Sequence, residues 1–188
     1  MNTPHLETDR LVLRVLDPRD AAVVAAYCER NRAHLAPWEP LRPEEYFTTA
    51  HWVRGLELGV TLFGSNLLVP FGVFPRATPV GPLLGRCTFS NIVRGPFQAA
   101  YLGFSLDRDA VGQGLMTEAL RAAIRYAFDD LGLHRIMANH MPENTRSARL
   151  LRGLGFVEEG YAKDYLRIAG AWRDHVLTAL VNPSWTSR

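Results

Sequence analysis

Leu106–Met116, with the sequence LDRDAVGQGLM, is the stretch that decides the fold, because the spacing of the apolar residues changes across it. Residues 98–106, before the change, read as a β-strand. From Gly112 onward the apolar residues recur at helical spacing, at Leu115, Ala119, Ala123, Ala127 and Leu131. The stretch is therefore a strand-to-helix turn that contains two glycines.

This turn predicts an anion site. It exposes backbone N–H groups at the positive end of a helix, which suits a pyrophosphate, and Gly112 and Gly114 let the backbone come close to a ligand. No GK[ST] follows, as a Walker loop requires, and the third glycine of a dinucleotide fingerprint is missing. A purely structural turn is the alternative interpretation.

The patterns on either side of this turn predict one α/β (α+β) domain over residues 1–188, without an internal repeat. Gly132 is predicted to end the central helix. A mixed, mostly antiparallel central sheet of about seven strands is expected, flanked by about four helices. Residues 98–106 and 135–141 should be parallel strands joined by the central helix. The strands are predicted at 10–16, 67–74, 83–92, 98–106, 135–141, 156–166 and 174–181, and the helices at 20–31, 44–58, 112–131 and 145–154, with an irregular loop at 33–45.

Composition excludes several classes of protein. The net charge is only +2, with basic residues spread along the chain, and this balance does not imply nucleic-acid binding. Cys28 and Cys87 lie far apart without metal-ligand spacing, so we expect no metal. Charged residues near the N-terminus and the interrupted apolar run Gly59–Phe74 favour neither secretion nor a membrane span. We therefore expect a cytoplasmic protein.

The turn resembles the acetyl-CoA pyrophosphate loop of the GNAT acetyltransferases, whose pattern is Q/R-x-x-G-x-G/A. Val111 here replaces the usual Gln or Arg and Met116 the final small residue, although G-x-G-L-M is familiar in the RimJ/RimL branch. The similarity to that branch extends over essentially the whole chain. It is carried by residues 8–11, 90–97, 134–139, 141–147, 174–180 and 183–185.

This resemblance implies the GNAT fold, acetyl-CoA as co-substrate, and a protein N-terminus as acceptor, commonly the N-terminal alanine of a ribosomal protein. It also implies which residues bind the coenzyme. The backbone of Phe104, Ser105 and Leu106 should pair with pantetheine, and the pyrophosphate cradle should comprise Val111, Gly112, Gln113, Gly114, Leu115, Met116 and Thr117.

By the same resemblance, Asn144 faces the pantetheine and acetyl region, and Ser147 protonates the leaving sulfur. Each of these residues has a structural alternative. Asn144 begins a helix and is a good N-cap, whereas Ser147 shares a helix face with Leu150 and Leu151, where its hydroxyl can bond a backbone carbonyl.

The remaining candidates serve the acceptor amine and the phosphates. Glu159 is the candidate general base, acting directly or through water, although a surface strand glutamate is the alternative. Trp38 is a candidate wall of the acceptor groove or an anchor of its loop. Arg146, Arg149 and Arg152 either bind phosphate or form a solvated helix face.

Transfer is expected by direct attack of the amine within a ternary complex, without a covalent acetyl-enzyme. Two other functions remain open at this stage. One is a ribosome-assembly factor with vestigial catalysis, and the other is an acetyltransferase for a small amine.

Overall fold

The computed structural model describes residues 3–186, so residues 1–2 and 187–188 of the predicted domain lie outside the described range. One sheet of eight strands runs through the described part, with five α-helices around it. The strands are β1 (His5–Glu7), β2 (Leu11–Val15), β3 (Val69–Pro75), β4 (Gly85–Val93), β5 (Ala99–Leu106), β6 (Arg135–Met137), β7 (Val157–Ile168) and β8 (Ala171–Val181). The helices are α1 (Ala21–Arg30), α2 (Arg32–Leu35), α3 (Thr49–Gly64), α4 (Leu115–Asp129) and α5 (Thr145–Gly153).

The strand order across the sheet is β1-β2-β3-β4-β5-β6-β8-β7. Every neighbouring pair is antiparallel except β5 and β6, which are parallel and separated in the chain by α4. The predicted mixed, mostly antiparallel sheet is therefore confirmed. The predicted number of about seven strands omits β1, because three residues are too few to show an alternating pattern.

The helix prediction needs two corrections. The segment predicted as an irregular loop contains the short helix α2 and a 3₁₀ turn at Ala36–Trp38, which raises the helix count from four to five. The predicted helix 44–58 is a 3₁₀ turn at Glu44–Phe47 followed by α3. Thr48 separates the two, because its side-chain oxygen accepts a hydrogen bond from the N–H of His51 and caps α3. Among residues 3–186 no helix is long and apolar enough to cross a membrane.

The helices cover the two faces of the sheet with separate apolar clusters. On one face, α4 and α5 pack on inward residues of β5 such as Ala100 and Leu102. On the other face, α1 and α3 pack against Leu16, Phe74 and Leu83. Each cluster removes apolar area from water, and this burial stabilises the layers.

The parallel pair separates at one end, and this separation positions the site. β5 and β6 pair only from Ala99–Tyr101 to Arg135–Met137, whereas β5 continues to Leu106. Beyond Met137 the chain leaves β5 and stays with β8, since the N–H groups of Ala138 and His140 donate to the carbonyls of Thr178 and Val176. The last residues of β5 thus have a sheet partner on the β4 side alone.

Candidate active site

The turn after β5 presents free backbone donors. Gly112 and Gly114 both have positive φ, +83° and +75°, a conformation that favours glycine. Gly114 is the N-cap of α4, and the first intrahelical bond comes from the N–H of Glu118 to the carbonyl of Gly114. The N–H groups of residues 115–117 therefore have no acceptor within the helix, and they lie at the positive end of its dipole.

A cavity of about 510 Å³ opens beside these donors. Its floor is the unpaired edge at the end of β5, and its walls come from α4, α5 and the segment after α1. This volume lies within the range of about 300–1,000 Å³ that is typical of small-molecule sites. The cavity thus combines an open strand edge with a helix N-terminus.

Helix α5 contributes one wall through its first turn. Asn144 is its N-cap, and the side-chain oxygen of Asn144 accepts from the N–H of Ser147 at 3.1 Å. Asn144 therefore caps the helix, as its structural alternative predicts. Among the described residues the hydroxyl of Ser147 donates no hydrogen bond to the protein, so the alternative bond to a backbone carbonyl is not formed.

Hydrogen bonds connect the turn after β5 and the first turn of α4 to residues near the N-terminus. The Glu118 carboxylate accepts from the Thr8 hydroxyl at 2.6 Å, from the Arg10 backbone N–H at 2.9 Å and from Arg10 Nε at 2.7 Å. Arg10 Nη1 also donates to the carbonyl of Gln113 at 3.0 Å. Burial works to raise the pKa of Glu118, but these hydrogen bonds and the Arg10 charge outweigh it and leave the pKa below its ordinary value.

The turn is also held from α1 and the residues that follow it. Buried Asp107 accepts from Arg30 Nε at 2.7 Å, from Asn31 Nδ2 at 3.1 Å and from the N–H of Asp109 at 3.0 Å. Asn31 in turn accepts from the N–H of Arg108 at 2.9 Å. Burial opposes ionisation of Asp107, yet these bonds and the Arg30 charge keep its pKa below the ordinary value. Contacts from both faces of the sheet therefore fix the turn.

The sequence around the cavity matches a known family of enzymes. The model of the acetyltransferase (GNAT) domain matches residues 10–157, which include every wall of the cavity. This chain belongs to the GNAT family.

Individual GNAT proteins resemble the chain over nearly its full length. The ribosomal protein uS5-alanine N-acetyltransferase of Escherichia coli (strain K12) is 49% identical over 182 residues, 97% of this chain and 93% of that protein. The structure of ribosomal-protein-S5-alanine acetyltransferase from Vibrio fischeri aligns with a TM-score of 0.93 at 41% identity, covering 98% and 100% of the two chains. Mycobacterium smegmatis RimJ in complex with CoA-disulfide aligns with a TM-score of 0.87 at 29% identity, covering 98% and 89%.

Twelve of the fourteen residues predicted for the site line this GNAT cavity. They are Trp38, Phe104, Ser105, Leu106, Val111, Gly112, Gly114, Leu115, Met116, Thr117, Asn144 and Ser147. Trp38 is 39% exposed, and its 3₁₀ turn forms part of the cavity wall. Of the three arginines of α5, Arg146 and Arg149 line the cavity and Arg152 does not.

The structure does not bring the other two predicted residues into the cavity. The Gln113 side chain donates back to the carbonyl of Asp109 at 3.0 Å, so it stabilises the turn from outside. Glu159 lies on β7, where it pairs with Arg135 on β6. Its position therefore matches the alternative of a surface strand glutamate, because β7 is the strand furthest from β5 on that side of the sheet.

Sequence reasoning missed three titratable residues that line the cavity, namely His34, Glu39 and Glu143. It also missed Arg10 and Glu118, which act across about a hundred residues of chain. A signal existed for Glu39, which directly follows Trp38 between two prolines. Nothing in the sequence pairs Arg10 with Glu118.

Proposed function

We propose that this protein transfers an acetyl group from acetyl-CoA to the N-terminal α-amine of a protein, namely the N-terminal alanine of a ribosomal protein, in the cytoplasm. The observation that carries the proposal is the cavity that combines the open edge of β5, the two-glycine turn and Ser147. The names of the related enzymes from Escherichia coli and Vibrio fischeri support the choice of acceptor.

The residues fit the parts of acetyl-CoA. The unpaired edge of Phe104–Leu106 suits the amide groups of pantetheine, which can continue the strand pairing. The donors of residues 115–117 suit the pyrophosphate, and Arg146 and Arg149 bring positive charge to the same cavity. Because the cradle uses backbone N–H groups, Val111 in place of Gln or Arg leaves it intact.

The chemistry requires a neutral amine, a polarised carbonyl and a protonated leaving group. An α-amine has a pKa of about 8 and a lysine about 10.4, so the α-amine is far more often neutral near pH 7. The amine nitrogen attacks the acetyl carbonyl directly, while a backbone N–H near Leu106 holds the developing oxyanion. The hydroxyl of Ser147, which has no hydrogen-bond partner among residues 3–186, gives a proton to the sulfur.

Peptide acetylation tests the function directly. Purified protein, acetyl-CoA and a peptide that begins with the uS5 N-terminal sequence should give a product acetylated on the α-amine, located by tandem mass spectrometry. The same peptide with a blocked N-terminus and a free lysine should stay unmodified. Exclusive acetylation of lysine, of a polyamine, or of nothing at all would contradict the proposal.

Replacing the serine tests the proton donor. Ser147→Ala should lower kcat by about tenfold to a thousandfold, the usual range for a proton-transfer group, without changing the affinity for acetyl-CoA measured by calorimetry. Thr61→Ala, which removes an exposed hydroxyl on α3, is the control. An unchanged kcat in Ser147→Ala would exclude Ser147 as the donor.

A further inference from the structure

We infer that Glu39 receives the α-ammonium group of the acceptor and accepts its proton before acetyl transfer. This inference rests on the proposed function, and it assigns the general base that the position of Glu159 leaves open. If Glu39 receives the acceptor, the acceptor amine must be positively charged when it binds, as a protein N-terminus mostly is near neutral pH.

Two carboxylates line the cavity among the described residues, Glu39 and Glu143. Glu143 is exposed and directly precedes the N-cap of α5, so it belongs to the same wall as Ser147. Glu39 comes from the segment after α2, on the sheet face that α1 covers. Glu39 and Ser147 thus lie on different walls of the cavity, so that one group can receive the amine while the other serves the sulfur.

The Glu39 carboxylate lies between two arginines and still has room for a donor. Its side chain is 19% exposed, with Arg42 Nε 3.3 Å from Oε2 and Arg86 Nη2 3.9 Å from Oε1. The Arg86 contact is too long for a hydrogen bond. Since an ionised carboxylate offers about four lone-pair sites, the Arg42 bond leaves acceptor capacity for an ammonium group.

Both arginines are themselves fixed, and therefore they orient the carboxylate. Arg86 donates to the Tyr46 hydroxyl at 3.3 Å, and its guanidinium lies 4.9 Å from the centre of the Trp52 ring. Arg42 lies 4.3 Å from the centre of the Tyr46 ring. These contacts restrict the motion of both cations, so the carboxylate does not depend on an isolated surface pair for its position.

The backbone of Glu39 is held by the tip of the β7–β8 hairpin. The N–H of Ala169 donates to the Glu39 carbonyl at 2.9 Å. Ala169 and Gly170 form the turn with positive φ, and a Cβ on Gly170 would lie 2.9 Å from Leu41 Cδ1. The hairpin tip therefore packs closely on the segment that carries Glu39, and the acceptor side of the cavity keeps its shape.

The proton balance of the reaction is complete with these groups. The ammonium gives one proton to the Glu39 carboxylate and becomes a neutral amine. Its nitrogen forms a bond to the acetyl carbon while the carbonyl π electrons move to the oxygen, and the carbon–sulfur bond breaks when the carbonyl forms again. The second nitrogen proton replaces the one that Ser147 gives to the sulfur, and Glu39 returns its proton to solvent once the product leaves.

The other titratable groups around Glu39 do not mimic this behaviour between pH 6 and 9. The pKa of Arg86 lies above its ordinary value, so Arg86 stays charged, and burial raises the pKa of both Tyr46 and Cys28, so these two stay neutral. Arg42 contributes a guanidinium, a group that proteins do not deprotonate. His34 lines the same cavity, and because an imidazole can also act as a base, a His34→Gln variant is a necessary comparison.

The test is the pH dependence of Glu39→Gln with a peptide that begins with alanine. At pH 7 its kcat/KM should fall at least tenfold, and the deficit should shrink toward pH 9, because the α-amine then loses its proton unaided. Affinity for acetyl-CoA should match that of the wild type. Glu45→Gln, an exposed glutamate of the neighbouring 3₁₀ turn, is the control, and Glu39→Asp should recover part of the rate.

A deficit in Glu39→Gln that is equal at every pH would overturn the inference, as would a pH-dependent deficit found in Glu143→Gln or His34→Gln instead. An active Glu39→Gln indistinguishable from the wild type would overturn it while leaving the proposed function standing. If the wild-type protein acetylates no N-terminal peptide, the proposed function itself is wrong. Thermal unfolding of each variant separates a folding defect from a catalytic one.

Discussion

Removing the Glu118 carboxylate is the sharpest test of how the pyrophosphate turn is built. Glu118→Ala would leave the Thr8 hydroxyl, the Arg10 N–H and the Arg10 guanidinium without their common acceptor. We expect the protein to lose stability and to bind acetyl-CoA more weakly, because Arg10 also holds the carbonyl of Gln113 inside the turn.

The magnitude follows from the exposure of each partner. A hydrogen bond to a charged group contributes about 1.5–3 kcal/mol, but Thr8 can still bond the Leu11 carbonyl and so recovers part of its loss. The Arg10 side chain is 51% exposed, so solvent limits its ion pair to about 1 kcal/mol or less. The total loss is about 2–3 kcal/mol. For a domain of this size it lowers Tm by roughly 5–10 °C.

Calorimetric unfolding and steady-state kinetics measure the two effects. Besides the lower Tm, KM for acetyl-CoA should rise about tenfold, which corresponds to about 1.4 kcal/mol, while kcat stays within twofold. Glu57→Ala, which removes an exposed glutamate of α3, is the matched control. If Glu118→Ala keeps both its Tm and its KM, the contacts of Thr8 and Arg10 do not support the turn.

The same residue gives a pH prediction with a definite sign. The pKa of Glu118 is lowered in the folded protein, so its stabilisation is complete above the ordinary value of about 4.3 and is lost as the pH falls through the folded pKa. The Tm difference between wild type and Glu118→Ala should therefore shrink below about pH 4. A difference that stays constant down to pH 3 would contradict the role of the ionised carboxylate.

Two further predictions concern the same turn. Gly114→Ala should lower the free energy of unfolding by about 1–2 kcal/mol and raise KM for acetyl-CoA, because φ at Gly114 is +75°. Gly64→Ala, at the open end of α3, is the control and should not change stability. Equal stability of the two variants in urea would refute this prediction. Asp107→Asn should lower the free energy of unfolding by about 2 kcal/mol, because it leaves Arg30 without its anion. The pKa of Asp107 is lowered in the folded protein, so the stability difference from the wild type should disappear as the pH falls below about 4. Chemical denaturation at pH 7 and pH 3 measures both effects.

Local patterns were enough to predict the turn and the elements next to it. Alternation in β5, helical spacing in α4 and two glycines between them depend on neighbours within a few residues, and the structure has all three where the sequence predicts them. Boundaries were less accurate. The strand predicted at 135–141 extends only over Arg135–Met137, because its pairing with β5 stops there and His140 makes no more than an isolated bridge to Val176 of β8.

The position of a general base depends on the tertiary structure. The sequence predicts Glu159, which follows the serine helix, and the structure places its strand beyond β6 and β8, where Glu159 pairs with Arg135. Glu39 is more than a hundred residues from Ser147 in sequence, yet both line one cavity. A residue's distance from the reacting atoms depends on how the layers pack, and no spacing along the chain encodes it.

The sequence alone therefore determined the strand–glycine–helix unit, the mixed sheet and the family resemblance, because each is written in short-range periodicity or in contiguous motifs. Only the tertiary structure decided that β5 leaves β6 after Tyr101, that Thr8 and Arg10 bond Glu118, and that Glu39 shares a cavity with Ser147. Those features involve segments that lie far apart in the chain. They arise from burial and charge pairing between distant segments, which exist only once the chain has folded.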